Sequence, residues 1–189
     1  MTVPNLTIIA GANGSGKTTL TRWNQELLRN IPLLDPDAIS KTLQASVTSV
    51  APIAAARQVI KTAKGHVRNR NSFAVETTLA GHGYLQMMLD ARARGFEIVL
   101  IYIGTEHVEI NLARIRDRVL AGGHNVPKED VRRRYKRSFA NLPSALSRAD
   151  HTILFDNSTL EGYRLIAVLA ASENYWFEPI PAWAAVLRR

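Results

Sequence analysis

The chain has 189 residues, 46% of them hydrophobic and 21% charged, a balance that excludes large-scale disorder and suits one α/β domain over 1–189 with a core of its own. It has no cysteine, which removes disulfides and thiolate metal sites, and no run approaches the ~18 apolar residues of a membrane helix. The formal charge of +8 is local rather than diffuse: residues 114–137 carry nine basic residues against three acidic ones. Such clustering favours a phosphate clamp over a nucleic-acid coat, and with no basic-then-apolar leader the expected setting is the cytoplasm, without a membrane.

In chain order, apolar periodicity predicts a strand over 5–10, a glycine-rich loop, a helix over 17–30 and a short buried strand over 31–34 ending at "DPD". A helical region follows over 38–71, interrupted near Pro52, then the strand "SFAVET" over 72–77, a helix over 82–94 stopped by Gly95, and the strand "EIVLIYI" over 97–103. Helices over 106–121 and 128–148 flank "GGHNVP", and "HTILFDN" is a further strand. In the tail, Ser172-Glu173-Asn174 reads as a hairpin turn, with a short helix after Pro179 and Pro181. Strands alternating with helices predict a mainly parallel sheet covered on both faces, with an arginine-rich helical lid and a C-terminal hairpin.

The loop "GANGSGKT" carries the chemistry. Gly11, Gly16, Lys17 and Thr18 fit G-x-x-x-x-G-K-[ST], and the loop stands where the motif must, after a strand and before a helix. Gly11, Gly14 and Gly16 free the backbone, so that the N–H groups of Gly11, Ala12, Asn13, Gly14, Ser15 and Gly16 can line one concavity at the positive end of the next helix. Lys17 would reach the β- and γ-phosphates of a nucleotide, and Thr18 would ligate Mg²⁺. Thr19 is either an α-phosphate contact or a second hydroxyl at the helix start.

In an open α/β sheet, ligands gather beyond the carboxyl ends of the strands. A phosphoryl acceptor there needs a carboxylate to orient its hydroxyl and take the proton, and Asp37 is the candidate, with Asp35 better suited to capping the next helix. Glu76 stands at a strand end where it can serve Mg²⁺ or its water shell, and Thr77 and Thr78 can donate to substrate. On the second lid helix Val131, Tyr135, Phe139, Leu142 and Leu146 form an apolar stripe; Arg133 and Arg137 lie opposite it, while Arg132 and Arg134 flank it. On the first, Arg116 and Arg118 flank Val108, Leu112, Ile115 and Val119, with Arg114 further round. Flanking arginines can reach over a cleft edge to a γ-phosphate. The histidines show no metal-binding spacing; His124 in the lid is the one to test.

Taken together, "GANGSGKTTL", "LLDPDAI", "FAVETTLAG", "ARIRDRVLAGGHNVPKEDVRRRYKRS" and "ILFDNS" resemble the zeta toxin family, in its short bacterial branch of ATPases or kinases, over roughly residues 5–160. The resemblance implies a P-loop kinase fold, ATP with Mg²⁺, phosphorylation of a hydroxyl on the nucleotide sugar UDP-N-acetylglucosamine, and a partner antitoxin. It implies Lys17 and Thr18 as the phosphate-loop pair, Asp37 as general base, Glu76 and Thr77 as substrate-side residues, and Arg118 and Arg134 as the pair facing the γ-phosphate. The chain is shorter than the full-length toxins. A polynucleotide 5′-hydroxyl kinase would use the same base and lid, but the only aromatics among the arginines, Tyr135 and Phe139, sit on the apolar stripe, so stacking support for nucleic acid is poor. A third alternative is an ATP-binding protein without catalysis.

Overall fold

The computed structural model describes residues 2–23, 25–28, 31–36, 39, 51–123 and 125–188, with the side chains of 25, 27 and 51–56 left aside. Asp37 and His124 lie outside the described residues, as does most of 38–50, the first part of the expected helical region.

Among the described residues, strands β1 (Asn5–Ala10), β2 (Leu33–Leu34), β3 (Phe73–Thr77), β4 (Glu97–Gly104), β5 (His151–Asp156), β6 (Arg164–Ala170) and β7 (Asn174–Trp176) form one sheet in the order β2-β3-β1-β4-β5-β6-β7. The first five are parallel, and β6 and β7 add antiparallel as the C-terminal hairpin. The helices among the described residues are α1 (Lys17–Trp23), α2 (Ala51–Asn69), α3 (Gly83–Arg92), α4 (Val108–Leu120), α5 (Lys128–Leu146) and the short α6 (Ala182–Ala185).

Alternation along the strands explains both layers. Leu6, Ile8, Phe73, Val75, Ile98, Leu100, Tyr102 and Leu154 point to one face, where they are covered by Val59, Ala63 and Val67 of α2, Met87 and Met88 of α3 and Leu142 and Ala145 of α5. Ile9, Ala74, Ile101 and Ile103 point to the other, under Leu20 of α1 and Leu28. Central strands buried on both faces are why "EIVLIYI" reads as continuous apolar sequence. Gly95, at φ 73°, ends the α3 turn region in the left-handed conformation that only glycine takes readily.

Two expectations need correction. The helix expected over 17–30 ends at Trp23 and is followed by a 3₁₀ turn, Gln25–Leu28. Leu20 is buried but Trp23, on the same apolar pattern, is 75% exposed; the tighter turn swings Leu28 back under the sheet, where the Ile31 N–H donates to its carbonyl at 2.8 Å. On α5 the buried line is Val131, Ser138, Leu142 and Ala145, with Tyr135, Phe139 and Leu146 only half-buried. Ser138 can occupy the centre because its hydroxyl meets that of the fully buried Tyr102 at 3.0 Å, satisfying both. That buried position pushes the Tyr102 phenol well above its ordinary range.

The tail is anchored at the carboxyl ends of β4 and β5. Trp183 of α6 donates its indole N–H to the buried carboxylate of Asp156 at 2.9 Å and packs against Tyr102 and Phe139. A Cβ on Gly104 would lie 2.5 Å from the indole ring. Gly104→Ala is therefore expected to lower stability by about 1–3 kcal/mol through forced displacement of the ring; an unchanged melting temperature would show that the indole does not rest on Gly104.

Candidate nucleotide-phosphate site

β1 has β3 on one side and β4 on the other, and the chain passes to opposite sides of β1 on leaving it and on leaving β3. The carboxyl end of β1 is thus the switch point of the sheet, and the glycine-rich loop begins there, with the Gly11 N–H donating to the Thr77 carbonyl at 3.2 Å. Gly14 (φ 80°) and Gly16 (φ 108°) adopt conformations that L side chains rarely take. A Cβ on Gly11 would run into the Ile103 carbonyl, and one on Gly14 would lie 2.7 Å from the Asn111 carbonyl oxygen. The concavity is a cradle that only glycines can line.

Lys17 opens α1 and curls back over the loop, its Nζ donating to the Gly11 and Ala12 carbonyls at 2.8 and 3.1 Å. Ser15 Oγ is buried without a hydrogen-bond partner, an orphaned hydroxyl inside the loop. A buried orphan, a lysine folded over the loop and backbone N–H groups at a helix start suit an anionic phosphate group.

Glu76, at the end of β3, is 3% exposed; its Oε2 accepts from the Thr18 hydroxyl at 3.0 Å and its Oε1 from the Thr21 hydroxyl at 2.8 Å. Burial raises its carboxyl above the ordinary range, Lys17 opposes that shift, and Asp35 adds to it. A hydroxyl and a carboxylate 3.0 Å apart beside the phosphate loop form an all-oxygen donor set of the kind that suits Mg²⁺, which takes few protein ligands and completes its shell with water and phosphate oxygens.

After Glu76 the chain turns sharply. Thr77 Oγ1 accepts from the Leu79 N–H at 3.0 Å, Leu79 holds φ at 55°, and Asn141 of α5 donates to the Leu79 carbonyl at 2.8 Å. Thr78, half-buried, sits in this pinned turn, and Thr19, exposed on α1, lies beside the Tyr163 hydroxyl.

The lid arginines separate by contact. Arg134 is half-buried and its guanidinium reaches the Asn13 side-chain oxygen at 3.4 Å, with Asp130 at 3.9 Å. Arg114 donates to the carbonyls of Asn157 and Thr159. Arg132 pairs with Glu109 across the two lid helices, and Arg133 pairs with Asp130 on the outer side. Arg118 is exposed on α4, seven residues or about 10 Å along the helix from Asn111. The structure therefore brings Lys17, Thr18, Glu76 and Arg134 together around the loop and leaves Arg118 on the lid surface. Sequence reasoning did not single out Thr21, Asn111, Asn141, Tyr163 or Trp183; their neutral side chains form no short-range pattern.

A glycine cradle at the switch point of a parallel sheet, faced by a lysine and an arginine, defines a P-loop nucleotide-binding protein of the kinase-like class. The chain belongs to the Zeta toxin family, whose model matches residues 2–164. A protein of Haemophilus influenzae is 38% identical over 125 residues, 66% of this chain and 88% of its own length. Among solved structures, a chain of the PezAT chromosomal toxin–antitoxin system of Streptococcus pneumoniae superposes with a TM-score of 0.67 at 19% identity, covering 97% of this chain and 76% of that one. A chain of the AvrRxo1-ORF1:-ORF2 complex with ATP gives 0.74 at 15% identity, covering 98% of this chain. The present chain spans 62% of the length of that chain. At these identities the superpositions establish the fold. Among the described residues, no helix is long and apolar enough to cross a membrane.

Proposed function

We propose that the protein is an ATP-dependent kinase that moves the γ-phosphoryl group to a sugar hydroxyl, on UDP-N-acetylglucosamine, and acts as the toxin of a toxin–antitoxin pair. The observation that carries this reading is the convergence of Lys17, Thr18, Glu76 and Arg134 on one glycine-lined loop. Membership of the Zeta toxin family supports the acceptor class, and the toxin–antitoxin setting of the PezAT neighbour supports a partner antitoxin.

In this account the loop N–H groups hold the phosphate chain and Lys17 exchanges its carbonyl partners for the β- and γ-oxygens. Thr18 and Glu76 would hold Mg²⁺ and its water shell, and that ion would supply neutralisation of charge on the phosphate oxygens. Arg134, and Arg118 on closure of the lid, face the transferring group and stabilise its equatorial charge. Asp37 takes the proton of the attacking hydroxyl, while Thr77 and Thr78 line the acceptor side. Each step is compatible with transfer in the cytoplasm and needs no nucleic acid.

The described lid favours a small acceptor over a polynucleotide. Tyr135 donates to the Thr105 and Glu106 carbonyls at 2.7 and 3.1 Å, its phenol raised to about 12 mainly by burial, and Phe139 packs on Trp183. Neither ring is presented for base stacking.

Arg134→Ala tests the reading directly. Transfer from γ-labelled ATP to UDP-N-acetylglucosamine is expected to fall about 10³-fold, while the ATP dissociation constant changes far less. Equal transfer by variant and wild type would remove Arg134 from the reacting centre.

A further inference from the structure

The phosphate loop is shaped as much from outside as from within. Asn111, on the first turn of α4, is fully buried; its Nδ2 donates to the Asn13 carbonyl at 2.7 Å while its Oδ1 accepts from the Thr105 hydroxyl. Asn157, just beyond β5 and buried, donates its Nδ2 to the Ser15 carbonyl at 2.8 Å. Tyr163 donates its hydroxyl to the Gly16 carbonyl at 2.7 Å. Three side chains, from two regions of the chain about 100 to 150 residues away from the loop, thus hold three of its carbonyls.

A trans peptide holds its C=O and the following N–H in one plane, pointing in opposite directions. Fixing the carbonyls of Asn13, Ser15 and Gly16 outward therefore turns the N–H groups of Gly14, Gly16 and Lys17 the other way, into the concavity. The glycines complete the fit. A Cβ on Gly14 would lie 2.7 Å from the Asn111 carbonyl oxygen, and one on Gly16 would lie 2.6 Å from Asn157 Nδ2 and 2.7 Å from the Tyr163 hydroxyl. The absent side chains are absent where the outer residues come in.

We infer that Asn111 and Asn157 are positioning residues for phosphate binding, setting the donor array of the loop before nucleotide arrives, with Tyr163 as a weaker third. The inference rests on the loop binding nucleotide phosphate, not on the identity of the acceptor. It ranks the three. The Gly16 carbonyl also accepts from the Thr19 and Leu20 N–H groups, each at 3.0 Å, so it keeps its direction without Tyr163. The Asn13 and Ser15 carbonyls depend on their asparagines.

The test is binding, not transfer. Dissociation constants for MgATP are measured by calorimetry for wild type, Asn111→Ala, Asn157→Ala, Tyr163→Phe and Thr105→Val, with adenosine binding followed by ligand-observed NMR and the melting temperature taken without ligand. Each asparagine variant is expected to weaken MgATP about tenfold while adenosine, which carries no phosphate, stays within about twofold. Tyr163→Phe is expected to keep MgATP affinity within about threefold, while Thr105→Val, which removes the bond that holds the Asn111 amide in place, is expected to weaken MgATP by less than Asn111→Ala does. MgATP affinity unchanged in a folded Asn111→Ala or Asn157→Ala protein would overturn the inference. So would parallel loss of adenosine and MgATP, which marks general loosening instead of a phosphate effect. If one asparagine variant fails to fold, the other, at a separate carbonyl, carries the same prediction. Because no acceptor enters these measurements, failure here leaves the kinase reading standing, and failure of the kinase reading leaves this one standing.

Discussion

Glu76→Gln is expected to make the unliganded protein more stable at neutral pH and a far poorer catalyst. The carboxyl is buried and its ionisation lies above the ordinary value of 4.5. A carboxyl with a folded value above its unfolded one contributes stability below the unfolded value and loses it as pH rises through the folded one. Above that window the ionised group is a constant cost of burial. Glutamine removes the cost and keeps the shape, because its amide can accept from one threonine hydroxyl and donate to the other. The melting temperature of the variant should therefore exceed that of wild type at pH 7, with the gap closing as pH falls towards 4.5. Phosphoryl transfer should drop about 10- to 100-fold, with a raised requirement for Mg²⁺. A variant less stable than wild type at every pH would mean that the hydrogen bonds to Thr18 and Thr21 outweigh desolvation. Undiminished transfer would remove Glu76 from the metal's surroundings.

The second large effect belongs to Asp37. Asp37→Ala is expected to lower transfer by about 10²- to 10⁴-fold while MgATP binding is retained, because a general base acts on the acceptor's proton and not on the nucleotide. Equilibrium binding and transfer measured on the same preparation separate the two. Parallel loss of both would make Asp37 part of the nucleotide site or of the fold.

These expectations rest unequally on the sequence. The phosphate loop was legible because its chemistry is local: glycines, lysine and threonine at fixed spacing between a strand and a helix. Glu76 stood out as an acid near the end of a β-type run, and the structure sets it beside Thr18. The mainly parallel sheet followed from alternation of elements, and the hairpin from Ser172-Glu173-Asn174 between two apolar runs. What the sequence concealed is long-range and polar. Asn111 reads as an ordinary helix residue and Asn157 only as one of several residues beyond a strand's carboxyl end, since a neutral amide leaves no trace in charge or periodicity until the loop carbonyls it meets are known. Ser138 is absent from the expected stripe because that stripe was drawn through apolar residues alone, and a serine joins it only through the Tyr102 hydroxyl across from it. The arginine assignment failed to narrow for the same reason: with nine basic residues in 114–137, rotation of α4 and α5 about their axes decides which reach the loop, and only packing sets that rotation.

The most direct measurement is transfer from γ-labelled ATP to a panel of UDP-N-acetylglucosamine, other nucleotide sugars and 5′-hydroxyl oligonucleotides, by wild type and Asp37→Ala in parallel. The expected result is a labelled nucleotide sugar with wild type that is lost with the variant. Label in the oligonucleotides alone, or none in any acceptor despite ATP binding, would contradict it.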